Sequence, residues 1–121
     1  MLPLLKDWQF KLKSNIPISP IRNKYLSPIS IITVVNCIKI LIDKKNIGVF
    51  HLSASDQISY MQLGKILINL IAVDQKLLSN DNRMLNQQYF STLMTSKIFK
   101  KISNINSDAV IINLIKQNFN L

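Results

Sequence analysis

Nucleophilic catalysis needs a base beside the nucleophile, and this sequence of 121 residues offers few such pairs: one Cys (Cys37), one His (His51) and no Glu. Cys37 lies within an apolar helical pattern, where a thiol behaves as a small buried hydrophobe. A Cys37–His51 pair is therefore the weaker reading. His51 sits in the middle of a strand-like run, where a structural histidine is expected over a ligand or a general base. The six acidic residues, all Asp, are spread over different segments without metal-ligand spacing. Only two glycines, Gly48 and Gly64, are present. That excludes a glycine-rich phosphate cradle, which needs several residues with free dihedrals close together. A single cysteine excludes an intramolecular disulfide and a Cys-based metal site, so a reducing, cytoplasmic location is expected.

The formal charge of +9 raises the question of nucleic acid, because clustered Lys and Arg release counterions from phosphate backbones. Thirteen of the fifteen basic residues are Lys, scattered from Lys6 to Lys116; Arg22 and Arg83 are the only arginines. Base-edge and phosphate recognition favours the guanidinium fork. A solvated Lys-rich surface is the expected meaning of this charge, and nucleic acid is not an expected partner. The N-terminus, Met1 to Trp8, lacks the basic start, long apolar run and cleavage site of a secretory signal. The most apolar stretch, Ile29 to Ile42, is broken by Ser30, Asn36 and Lys39 and falls short of the ~20 residues that span a bilayer. No membrane segment is expected, and the protein should be soluble.

Positioning elements follow from periodicity. Leu2, Leu5, Trp8, Phe10 and Leu12 mark an amphipathic helix over 2–13. Pro17 and Pro20 impose an extended connector over 16–21. Ile31, Val34, Val35, Ile38, Leu41 and Ile42 recur at helical spacing and predict a helix from about Ser30 to Asp43 that buries that face, closed by Lys44-Lys45-Asn46. Ile47–Ser53 reads as a buried strand. Ser59 and Gln62 form a capping box opening a helix whose inner face carries Leu63, Ile66, Leu67, Leu70 and Ile71. A long polar loop is expected over 74–91, with one short element at 75–78. Thr95 or Ser96 can cap a short helix containing Ile98, Phe99 and Ile102, and Ser107 a last helix with Val110, Ile111, Leu114 and Ile115 as its apolar stripe. One domain, 1–121, is expected.

Three segments occur in a telling order: Ser27-Pro28-Ile29-Ser30-Ile31-Ile32-Thr33-Val34-Val35, then Gly48-Val49-Phe50-His51-Leu52-Ser53, then Ser59-Tyr60-Met61-Gln62-Leu63-Gly64. Order and spacing resemble the C-terminal part of extended short-chain dehydrogenase/reductases, in particular the dTDP-4-dehydrorhamnose reductase type and the related regulatory subunit of methionine adenosyltransferase. Ser91-Thr92-Leu93-Met94-Thr95-Ser96-Lys97-Ile98 looks like a further family motif, so the resemblance covers roughly 5–115. Three departures stand out. Thr33 occupies the place of a family Asp at the first helix, Gln87-Gln88 replace an Arg-Pro, and Met94 replaces the Asp of the last motif. A shell that holds sugar-nucleotide phosphates or orders the loop is affected by these changes.

The resemblance implies an α/β fold, mostly helical with a few short strands, four or five helices and an incomplete Rossmann sheet. It also implies a substrate-binding domain that closes a sugar-nucleotide pocket over NAD(P)H. Arg22 and Tyr25, on the connector before Ser27, are the candidate substrate-binding residues. The family's N-terminal dinucleotide-binding domain and its Tyr-x-x-x-Lys pair are absent here: Tyr25, Tyr60 and Tyr89 are followed four residues on by Ile29, Gly64 and Leu93. Without that pair the hydride transfer has no proton donor, so this chain alone is expected to bind no cofactor and to be inactive. Expected partners are a separate dinucleotide-binding chain or a second copy. The alternative is a non-catalytic interaction or regulatory module, docking through apolar surface left exposed where the dinucleotide-binding domain would sit.

Overall fold

The computed structural model describes residues 2–79, 89–90, 96–99 and 106–119. Parts of the 74–91 loop, Arg83, Gln87-Gln88, Ser91 to Thr95 with Met94, and Ile102 lie outside the described residues.

Four α-helices frame the described chain: α1 (Leu2–Lys13), α2 (Ile31–Asp43), α3 (Tyr60–Ile71) and α4 (Ser107–Phe119). Two 3-10 turns, Gln75–Leu77 and Lys97–Phe99, and a small sheet complete it. The sheet has the order β2-β1-β3, with β1 (Lys24–Leu26) antiparallel to β2 (Ile58–Ser59) and parallel to β3 (Tyr89–Phe90). Tyr25 sits opposite Ser59 on one side and Phe90 on the other. The expected class, mostly helical with a few short strands, matches what is observed.

Helix α3 is the centre. Its start follows the capping box foreseen from sequence: Gln62 N–H donates to Ser59 Oγ at 3.1 Å, and Ser59 N–H donates to Gln62 Oε1 at 2.9 Å. Leu63, Leu67 and Ile68 are buried in one cluster with Leu5, Trp8 and Leu12 of α1, Ile18, Ile58, and Ile111 and Ile115 of α4. Ile66, Leu70 and Ile71, placed on the inner face by the sequence pattern, are half-buried at its margin. The extended connector docks on this layer: Ile18 N–H donates to Leu77 O at 2.9 Å, and Ser79 N–H donates to Ile18 O at 2.8 Å. Gly64 permits this approach, since a Cβ there would stand 3.0 Å from Pro20 Cγ and 3.1 Å from Leu78 Cδ1.

Three expectations are corrected. Ile31, Val35, Ile38 and Ile42 of α2 do not bury a face; with Ile32 they are between 51% and 73% exposed, while Thr33 and Cys37 point inward and are buried. Val34 and Leu41 of the expected face are half-buried, together with Ile40, on the side of Thr33 and Cys37, so the helix turns that side to the protein. Ile47–Ser53 is not a buried strand. Gly48 adopts φ 132°, which interrupts an extended run, and Ile47 and Val49 are 96% and 86% exposed. Ser107 is the first residue of α4, not its cap: Asn106 Oδ1 accepts from Asp108 N–H at 2.7 Å.

Ser30 caps α2. Its Oγ accepts from Thr33 N–H at 3.1 Å, and the two hydroxyls lie 2.8 Å apart. Asp56 ties the loop before β2 to α4: its Oδ1 accepts from Ser107 N–H at 2.8 Å, a carboxylate at the positive end of a helix. Its carbonyl accepts from Ser27 Oγ at 2.6 Å and from Ser107 Oγ at 3.3 Å.

Candidate functional site

A cleft of about 480 Å³ opens between α1 and the connector that leads into β1, a size in the range of small-molecule sites. The prolines that keep the connector extended, Pro17 and Pro20, form part of one wall, and Trp8 of α1 forms another. Tyr60, the first residue of α3, meets Trp8 edge to face, with centroids 6.4 Å apart and planes at 83°. The ammonium of Lys24 stands 4.8 Å from the centroid of the Tyr60 ring, a cation over an aromatic face. Asp7 and Lys11 at the rim are paired at 2.8 Å, an i,i+4 bridge on α1. Ser19 Oγ is buried and has no hydrogen-bond partner. The cleft thus combines an aromatic wall and a cation, a set that suits a polar ligand with an anionic group.

Arg22 and Tyr25, the candidates from sequence, stand beside this cleft along the chain. Ile21 and Lys24, their neighbours, line it. Both candidates are half-buried. On β1 side chains alternate, so Tyr25 projects from the face opposite Lys24 and Leu26; Leu26 packs against the core. Sequence reasoning missed Lys24, Trp8 and Ser19. Lys24 had a signal, as a basic residue adjoining both candidates, whereas Trp8 reads from periodicity as core alone.

Cys37 is buried, and burial pushes its thiol above the ordinary range, as befits a packing residue without a base. The His51 side chain is exposed on an irregular segment; its backbone N–H donates to Ser96 Oγ at 2.9 Å and its carbonyl accepts from Ser96 N–H at 2.8 Å. Among the described residues no three His, Cys or Asp side chains gather as a metal site. No described helix is long and apolar enough to cross a membrane. A dinucleotide does not fit the glycines present: Gly64 is packed against the Pro20 ring, and Gly48 lies at an exposed turn.

No protein-family description matches the sequence, and no curated protein matches it either. Solved structures do. A dTDP-4-dehydrorhamnose reductase from Bacillus anthracis, solved in complex with NADP, superposes with a TM-score of 0.58 at 12% identity, over 94% of this chain and 43% of that one. A dTDP-4-dehydrorhamnose reductase from Clostridium acetobutylicum gives a TM-score of 0.50 at 21% identity, over 60% of this chain and 26% of that one. The chain therefore spans less than half the length of the solved reductases it matches. These likenesses, together with the ordered motifs of the sequence, lead to one conclusion: the chain shares its fold with part of dTDP-4-dehydrorhamnose reductase structures.

Proposed function

We propose that this chain is the substrate-binding portion of a sugar-nucleotide reductase, similar to NAD(P)H-dependent dTDP-4-dehydrorhamnose reductase, and is inactive without a dinucleotide-binding domain. The observation that carries this reading is the likeness over 94% of the chain to a reductase solved with NADP, joined to the absence of a Tyr-x-x-x-Lys pair and a glycine-rich turn in these 121 residues. Lys24 in the cleft offers the cation that a nucleoside diphosphate needs, and Arg22, two residues before it, is the second proposed contact; Tyr25, on the opposite face of β1, lies outside this cleft. NAD(P)H belongs to the other half of such an enzyme.

The test is a titration of the chain with dTDP, followed by NMR. Saturable shifts at residues around 19–25 are expected, weakened about tenfold by Lys24→Ala or Arg22→Ala, the cost of one charge-assisted bond. Absence of any shift at millimolar dTDP overturns the reading. It would favour the second one, a non-catalytic interaction module derived from that fold, for which the exposed apolar side of α2 speaks.

A further inference from the structure

Lys24 is half-buried in the lining of the cleft, and the fold fixes where its ammonium stands. The antiparallel ladder pairs Leu26 with Ile58 and Tyr25 with Ser59, so its next step brings Lys24 alongside Tyr60. The capping box holds Ser59 and thereby sets the backbone of Tyr60 at the first turn of α3. Trp8 meets the Tyr60 ring edge to face at 6.4 Å, and the Lys24 ammonium stands 4.8 Å from the centroid of the same ring. A lysine stem has several rotatable bonds, and its ammonium would otherwise spread over many rotamers. Cation–π attraction to a half-buried ring selects those that keep the charge at the cleft. The same contact makes the wall unsuited to stacking a base: Trp8 is only 6% exposed, and the ammonium takes up a face of Tyr60. At the rim, Asp7 is engaged by Lys11 at 2.8 Å, so its carboxylate is balanced on its own helix.

We propose that Tyr60 is a positioning residue for Lys24: its ring holds the ammonium at the cleft, where the charge takes the phosphate end of a ligand, and the aromatic wall serves that charge instead of a nucleobase. This rests on the function proposed above and adds which end of a nucleotide the cleft takes and which residue prepares it. The ligand chemistry is a diphosphate group. Such a group gains from a cation whose place is set before it arrives, because the rotamer freedom of the lysine is already lost in the free protein. The ring also covers one side of the ammonium, which leaves less water to remove when a phosphate oxygen makes a charge-assisted bond on the other.

The test titrates the full chain with inorganic pyrophosphate, dTDP and thymidine, followed by NMR, for the native protein, Tyr60→Phe, Tyr60→Leu, Lys24→Ala and the Lys24→Ala/Tyr60→Leu pair. Pyrophosphate and dTDP should both shift Lys24 and Tyr60, and thymidine should shift neither. Tyr60→Leu should weaken pyrophosphate and dTDP about fivefold, while Tyr60→Phe, which keeps the ring, binds as the native chain does. In the Lys24→Ala background Tyr60→Leu should have no further effect, because the ring acts through the ammonium; a ring that only supports the fold would cost the same in both backgrounds. In the free native protein the ε-methylene protons of Lys24 should resonate upfield under the Tyr60 ring current, and this needs no variant that has to fold. Lys24 protons at the position of a free lysine overturn the proposal. So does native affinity in Tyr60→Leu, a shift by thymidine, or binding of dTDP without pyrophosphate, and each of these leaves the reductase reading standing. Pyrophosphate binding that depends on Tyr60, with no binding of dTDP, keeps the positioning role and overturns the reductase reading. No binding of any of the three overturns both.

Discussion

Single residues set the close approaches on which the core depends. Gly64 lets the Pro20 ring and Leu78 reach the backbone of α3, and any larger residue must push a rigid ring aside. Gly64→Val should lower stability by about 1–3 kcal/mol, the usual cost of overpacking, read as a reduced urea midpoint; an unchanged midpoint would show that the connector yields freely. Cys37 carries a pH signature. Burial raises its thiol pKa, so its contribution is fully present below the unfolded thiol's value, about 8.5, and fades as pH rises through the folded value. Urea midpoints measured from pH 7 to 10 should therefore fall more steeply above about 8.5 for the native chain than for Cys37→Ala. Parallel curves would remove this role.

At the scale of elements, the helices divide into those that hold the fold and one that does not. Leu67 is fully buried at the centre of the cluster, so Leu67→Ala should cost about 2–5 kcal/mol. Ile38 is half-exposed on α2, and Ile38→Ala should change stability by no more than about 0.5 kcal/mol. Equal losses in thermal unfolding would mean that α2 belongs to the core after all. The sequence announced α1, α2 and α3 almost to the residue because caps and prolines are local: Ser30, Ser59 and Pro17 act within one turn of chain. It misjudged α2 because periodicity reports that a face is apolar, not which of two apolar faces meets the protein. The pattern grouped Val34 and Leu41, which turn inward beside Thr33 and Cys37, with Ile31, Val35, Ile38 and Ile42, which turn outward. Ile47–Ser53 failed for a related reason. Strand composition needs a partner edge, and the described edge at His51 is the short exchange with Ser96. Of the cleft, only Ile21 and Lys24 adjoin the sequence candidates Arg22 and Tyr25, neither of which lines it, and the Trp8–Tyr60 wall arises from α1 meeting α3, a contact that no local pattern encodes.

For the whole molecule, a consistent picture joins the parts. A layer of α1, α3 and α4 with a three-stranded sheet holds a cleft with a cation and an aromatic wall. On its flank stands a helix with an uncovered apolar side, and the fold corresponds to less than half of a reductase solved with NADP. On the function proposed above, such a half binds a sugar nucleotide but does not reduce it, because these 121 residues hold neither a glycine-rich turn nor a Tyr-x-x-x-Lys pair. The most direct measurement is NADPH oxidation by the purified chain supplied with dTDP-4-dehydrorhamnose. No turnover above the uncatalysed rate is expected at any chain concentration; reductase activity that scales with the chain and survives repeated purification would contradict the proposed function.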